Sequence, residues 1–207
     1  MIGILNYGLG NIQAFKNICK RKNFNFIEVK NSRDLENIDC FLLPGVGAFD
    51  DAINKLKSQD YFTDLNYLII KKKKPILGVC VGMQIMYGKS QEGKLAGLNW
   101  IDGEVKIIGK NRNNEKDLIL PHLGWNKIEI IKDHELFKKI NDKYFYFLHS
   151  YFCETFSDQN YATTNYYQTF TSVAINDNIY GIQFHPEKSH QQGEQILTNY
   201  YNIYVKN

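Results

Sequence analysis

Short apolar runs alternate with stretches of helical period through the first half of the chain. Gly3-Ile4-Leu5, Phe24 to Val29 and Cys40-Phe41-Leu42-Leu43 predict strands, with helices between them over Ile12 to Lys22 and near Leu35. Two more helical stretches, Ala52 to Lys57 and Tyr61 to Lys73, lead into Pro75-Ile76-Leu77-Gly78-Val79. A continuous apolar run of that length suits a central strand covered on both faces. A further helix is expected to begin just past Cys80. This is the rhythm of βαβ units and predicts an α/β fold with a mostly parallel central sheet and flanking helices.

The second half reads differently. From Leu95 to about Ile131 the pattern breaks into short strands separated by Gly and Asn, and the polar stretch Asn111 to Asp117 is expected to be a mobile loop. Aromatic strands follow at Tyr144 to Leu148, Tyr161 to Tyr167, Thr171 to Ile175 and Ile179 to Phe184, then a closing helix from about Gln191 to Tyr204. These strands predict additional antiparallel pairing. With no repeat and no low-complexity linker, residues 1–207 are expected to form one domain.

Composition narrows the function classes. The chain has 43% hydrophobic and 23% charged residues, and 25 basic side chains against 22 acidic ones leave a net charge of only +3. That balance gives no nucleic-acid footprint, and the run Lys71 to Lys74 before Pro75 reads as the solvated end of a helix. Cys19, Cys40, Cys80 and Cys153 show no zinc or disulfide spacing, so no metal is implied and a reducing cytoplasm is the expected setting. The start, Met1 to Leu5, runs directly into strand-like sequence without a basic leader, and no stretch approaches a membrane span. Secretion and membrane insertion are not expected.

Three segments carry candidate chemistry. Gly78-Val79-Cys80-Val81-Gly82, between a strand and a helix, has the form of a nucleophile elbow. A thiol there sits at the C-terminal edge of a sheet and near a helix N-terminus, which favours thiolate. Phe184-His185-Pro186-Glu187 supplies a base and a carboxylate two residues apart, on one side of an extended chain. Pro44-Gly45-Val46-Gly47 follows a strand expected to end at the same edge, where a turned amide and that of Val81 can hold a developing oxyanion. Each segment alone has an ordinary structural explanation. Together they describe a Cys, His, Glu set with an oxyanion loop at the strand ends of an open sheet.

With these motifs in this order, the chain resembles the class I (triad) glutamine amidotransferases over nearly its whole length. Within that family it is most similar to the glutaminase subunits that serve imidazole glycerol phosphate synthesis. The similarity rests on Asn6 to Asn11, Pro44 to Gly47, Gly78 to Gln84, Pro121 to Asn126, Leu148 to Tyr151 and Phe184 to Ser189. Val81 stands where Leu is usual and Leu123 where Met is common, and neither change removes a reacting group.

The resemblance implies the class I glutamine amidotransferase fold and a reaction with no cofactor. Cys80 would attack the glutamine amide, His185 would carry the proton to departing ammonia, and Glu187 would orient the imidazole. Gly47, Gln84, Ser150 and Tyr151 would hold glutamine. The partner implied is a (β/α)8 cyclase subunit forming a heterodimer, with Asn11, His122, Trp125 and Lys188 bordering the interface and ammonia passing between subunits. The resemblance also suggests that the Gly45 to Gly47 loop turns its amide productively only with the partner bound. Paralogues that supply ammonia to enzymes modifying surface-polysaccharide or flagellar sugars share these motifs, so the partner stays open between the two. A catalytically dead scaffold would not need Cys80, His185 and Glu187 intact, and a cysteine peptidase would not need Pro121 to Asn126.

Overall fold

The computed structural model describes residues 1–109, 118–156 and 158–205. The expected loop Asn111 to Asp117 lies outside them. Five strands form a parallel core, in the order β2 (Phe26–Val29), β1 (Ile2–Leu5), β3 (Cys40–Gly45), β4 (Ile76–Cys80) and β12 (Ile179–Ile182). The sheet continues antiparallel through β11 (Gln168–Asn176) to β10 (Asn160–Tyr166) and β7 (Glu129–Ile130). From β11 a branch runs through β9 (Tyr151–Thr155) to β5 (Gly103–Ile107). A separate antiparallel pair is made by β6 (His122–Lys127) and β8 (Tyr144–His149).

The helices follow their apolar spacing. In α1 (Ile12–Arg21), Phe15, Ile18 and Cys19 face the core, Asn11 caps the first turn by accepting from the Ala14 N–H, and Lys20 and Arg21 close the last turn. In α2 (Phe49–Lys57), Phe49, Ala52, Ile53 and Leu56 are buried, and α3 (Phe62–Ile70) buries Leu65 and Ile69. The closing helix α5 (His190–Tyr204) buries Ile196, Leu197, Tyr200 and Tyr201, and the Tyr200 hydroxyl donates to the Phe41 carbonyl of β3 at 2.9 Å. No helix among the described residues is long and apolar enough to cross a membrane.

The helix expected just past Cys80 begins there as α4 (Val81–Gln84), and Val81 to Tyr87 are all buried. Strand β9 has no counterpart among the predicted strands. Its burial does not alternate, and it follows β8 after a single residue, Ser150.

The parallel core matters most for function. Its strands share one C-terminal edge, where Gly45 pairs with Cys80 across β3 and β4, and where β12 ends just before His185. Open α/β sheets place their sites at such an edge.

Candidate active site

Cys80 ends β4 in a conformation that side chains rarely adopt, with φ 55° and ψ −113°. The surrounding glycines make room for the turn. A Cβ on Gly82 would stand 2.1 Å from the Leu43 carbonyl oxygen, and one on Gly45 would stand 2.2 Å from the Gly82 nitrogen. A Cβ on Gly78 would meet the Gly82 oxygen at 2.6 Å. Backbone therefore packs directly on backbone around the elbow, and only glycine fits. The sulfur is held against the wall of a pocket of about 280 Å³ at the sheet edge, lined by Asn11, Val46, Gly47, Gln84, Glu92, Ser150, Tyr151 and the triad among others.

His185 and Glu187 meet as the sequence suggested, but by another route. The chain is not extended through Pro186: Pro186–Lys188 form a 3₁₀ turn with His185 as its N-cap. The proline ring fixes the φ angle of such a turn, and the turn brings Glu187 Oε1 to 2.9 Å from His185 Nδ1. Both side chains are buried. With Nδ1–H donated to the carboxylate, Nε2 is left for the sulfur. Burial works against the imidazolium, yet hydrogen bonding to Cys80 and Glu187 outweighs it and raises the His185 pKa to about 10. An imidazolium between the Cys80 sulfur and a carboxylate can give a proton to a leaving group and take one back.

The loop after β3 is exposed. Val46 points outward, and Gly47 has φ +97° with no atom within 4 Å of a Cβ position, so its backbone has both space and freedom. Its root is clamped. The buried Tyr7 hydroxyl donates to the Pro44 carbonyl at 2.7 Å, and a Cβ on Gly10 would stand 2.6 Å from Pro44 Cβ. The motif Asn6 to Asn11 thus supports the candidate oxyanion turn from behind.

Gln84 is buried rather than on a helix surface, and its amide nitrogen donates to the Tyr151 carbonyl at 2.9 Å. Ser150 and Tyr151 line the pocket wall between β8 and β9. Asn11 and Lys188 lie at the same pocket. His122 does not reach the surface: at 3% exposure it lies behind β6, with Nδ1 3.0 Å from His149 Nε2. Trp125, on the other face of that strand, is 47% exposed and stacks on His190.

Four residues at the site were given no role from the sequence, although Leu148 and His149 lie in one of its motifs. Gln183, fully buried, places Nε2 3.7 Å from Cys80 Sγ, and the Leu148 carbonyl oxygen lies 3.8 Å from the same sulfur. Gln183 stands two residues before His185 in one run, and that spacing was the available signal. Glu92 accepts the Phe49 N–H at 3.0 Å at the start of α2, and burial raises its pKa. His149 donates Nδ1–H to the Tyr151 carbonyl at 2.8 Å and lines the pocket.

The model of the family described as glutamine amidotransferase class-I matches residues 4–203. The chain belongs to the class I glutamine amidotransferases. Among relatives of this amidotransferase, the imidazole glycerol phosphate synthase subunit HisH of Leptospira borgpetersenii is 44% identical, over 98% of this chain and 100% of that protein. The subunit of the same name from Bdellovibrio bacteriovorus is 42% identical with the same coverage. Among solved structures, PurLQS from Thermotoga maritima superposes with a TM-score of 0.73 at 14% identity, over 98% of this chain and 97% of that one, a likeness of fold alone.

Proposed function

We propose that this amidotransferase is the glutaminase subunit of an imidazole glycerol phosphate synthase, cleaving glutamine to glutamate and ammonia for a (β/α)8 cyclase partner in the cytoplasm. The observation that carries the proposal is the Cys80, His185, Glu187 pocket in a chain more than 40% identical, end to end, to subunits bearing that name.

The geometry supports a two-stage reaction. The Cys80 thiolate adds to the glutamine side-chain carbonyl, and the negative oxygen takes hydrogen bonds from the Val81 N–H and from the Gly45 to Gly47 loop. His185 gives its proton to the nitrogen as the C–N bond breaks, releasing ammonia and leaving a thioester. Water then attacks the thioester while His185 removes a proton. Collapse of that adduct frees glutamate and restores the thiolate. Free ammonia in neutral water is mostly protonated and no nucleophile, so it is useful only if passed directly to a bound partner.

A face for that partner adjoins the pocket. Leu123, Trp125, Tyr144 and Leu148 of the β6 and β8 pair are exposed large apolar side chains, and the Lys188 ammonium lies 5.4 Å from the Tyr146 ring centre. Exposed apolar residues clustered on one face suit a protein interface.

The deciding measurement is glutamate release with and without the cyclase and its nucleotide. Stimulation by the complex is expected, and full turnover by the isolated chain would remove the need for partner control of the Gly45 to Gly47 loop. Cys80→Ala should abolish glutamine-dependent synthesis and leave the partner able to use added ammonia. Rescue of a histidine auxotroph would then fix the pathway. Failed rescue with intact glutaminase activity would assign the chain to a sugar-modifying partner instead.

A further inference from the structure

Gln183 leaves β12 one residue beyond the pair Ile182 and Val79, and so emerges level with Cys80 on the adjacent strand. Which end of a side-chain amide faces which neighbour is normally ambiguous. Here the neighbours decide it. Gln84 Nε2 lies 2.9 Å from the Tyr151 carbonyl oxygen and 3.1 Å from Gln183 Oε1. A carbonyl only accepts, so Gln84 presents its NH₂ to both partners. Gln183 must then turn its oxygen to Gln84 and its NH₂ to the sulfur, 3.7 Å away. The Tyr151 carbonyl is itself held from the other side by His149 Nδ1–H at 2.8 Å, so each link is fixed by the one before it.

We propose that Gln183 is a catalytic residue, donating a hydrogen bond from Nε2 to the Cys80 sulfur and favouring the attacking thiolate over the thiol. The proposal rests on the reading of Cys80 as the glutaminase nucleophile. The physical reason is that a buried anion is costly unless donors replace the water it has lost, and an N–H bond to an ionised acceptor is stronger than one to a neutral acceptor. His185, backed by Glu187, supplies the opposite charge. Other titratable groups around the sulfur are Tyr7, Cys153 and, through His185, His149, with Glu92 and Lys188 lining the same pocket. Tyr7 gives its proton to the Pro44 carbonyl, and His149 gives its Nδ1 proton to Tyr151. Gln183 adds an uncharged donor whose direction does not depend on pH.

Alkylation of the full chain by iodoacetamide, read site by site by mass spectrometry across a pH series, reports the thiolate directly. The sulfur forms a bond to carbon and iodide leaves. Gln183→Met is expected to slow Cys80 alkylation about tenfold near neutrality and to move its pH profile up by about one unit. Gln183→Glu keeps an acceptor toward Gln84 but sets a second one against the sulfur, and should be slower still. The buried Cys19, Cys40 and Cys153 serve as internal controls, since their labelling marks unfolding.

Unchanged Cys80 alkylation in a folded Gln183→Met protein would overturn the proposal. Should both variants unfold, nuclear magnetic resonance of the unsubstituted protein decides. The Gln183 side-chain amide protons should move as Cys80 ionises and stay still in Cys80→Ala, and amide protons that do not follow Cys80 would also overturn it. Neither readout uses glutamine. An error in the glutaminase reading would instead appear as absent glutamate release from the unsubstituted protein with its partner, with the alkylation results intact.

Discussion

His122 and His149 face each other across the paired ends of β6 and β8, with Nδ1 of the first 3.0 Å from Nε2 of the second. Their tautomers follow from their outer partners. His149 Nδ1 meets a carbonyl that only accepts, so its Nε2 must receive the His122 Nδ1 proton, and His122 Nε2 in turn accepts from the Asn126 amide at 3.1 Å. A chain of three hydrogen bonds thus runs from the β6 strand to the pocket wall at Tyr151.

That arrangement predicts an acid limb of stability at unusually mild pH. Burial depresses the His122 pKa to about 4 and the His149 pKa to about 3. The unfolded chain takes up protons near pH 6.5 that the folded chain refuses until far lower pH. The contribution of these two rings should be full above about pH 6.5 and fall as the pH drops toward 4, by up to ~1.4 kcal/mol per pH unit for each ring. Glu28, lowered to about 2 by its hydrogen bonds to Lys16 and Asn6, contributes stability that is full above its ordinary value of 4.5 and is lost only as the pH falls from there toward 2. His185, raised, contributes its linked stability below pH 6.5 and loses it as the pH rises toward 10. Urea unfolding at several pH values between about 4 and 7 tests this. The double variant His122→Gln, His149→Gln should flatten the slope, and an equally steep limb in that variant would refute the assignment.

The glycines of the elbow should not be equivalent. Gly82→Ala drives a methyl to 2.1 Å from the Leu43 carbonyl oxygen, which is backbone of the central strand β3. A loss of about 3 kcal/mol or more is expected, since the backbone of β3, held in the middle of the sheet, cannot yield. Gly47→Ala meets nothing within 4 Å and pays only for its positive φ, about 1–2 kcal/mol. Thermal melts should rank Gly82→Ala well below Gly47→Ala, and equal melting temperatures would contradict the close packing.

What the sequence made legible was whatever local geometry dictates. The elbow announced itself because a sharp turn at Cys80 excludes side chains at Gly78 and Gly82. The partnership of His185 and Glu187 was legible too, although through a 3₁₀ turn rather than an extended chain. Strand β9 was hidden because its burial does not alternate and no Gly or Pro marks the turn at Ser150. Glu92 was hidden for a different reason. Its partner Phe49 lies 43 residues away, and no spacing rule reaches that far.

Glu92 should contribute to binding rather than to chemistry. Of the two carboxylates at the pocket, Glu187 is occupied by His185, which leaves Glu92 to meet the α-ammonium of a bound amino acid. Glu92→Gln should raise the KM for glutamine about tenfold, the scale of one charge-assisted hydrogen bond, with kcat within about twofold. The variant amide oxygen can still accept the Phe49 N–H, so the melting temperature should hardly move. An unchanged KM would place the ammonium elsewhere.

Trp125 should separate partner binding from folding. Its ring is 47% exposed and stacks on His190 with centroids 5.1 Å apart, so little of the core depends on it. A large aromatic side chain left open beside apolar neighbours is the sort of residue that dominates an interface once covered. Trp125→Ala should cost the isolated protein no more than about 1 kcal/mol and weaken cyclase binding by about 2 kcal/mol, roughly thirtyfold in Kd. Tyr67, exposed at 51% on α3, is the control: Tyr67→Ala should leave the Kd unchanged. Calorimetric titration of each variant with the cyclase measures both. Equal affinities for the two variants would move the docking face away from β6 and β8, while the Cys80 pocket would remain as described.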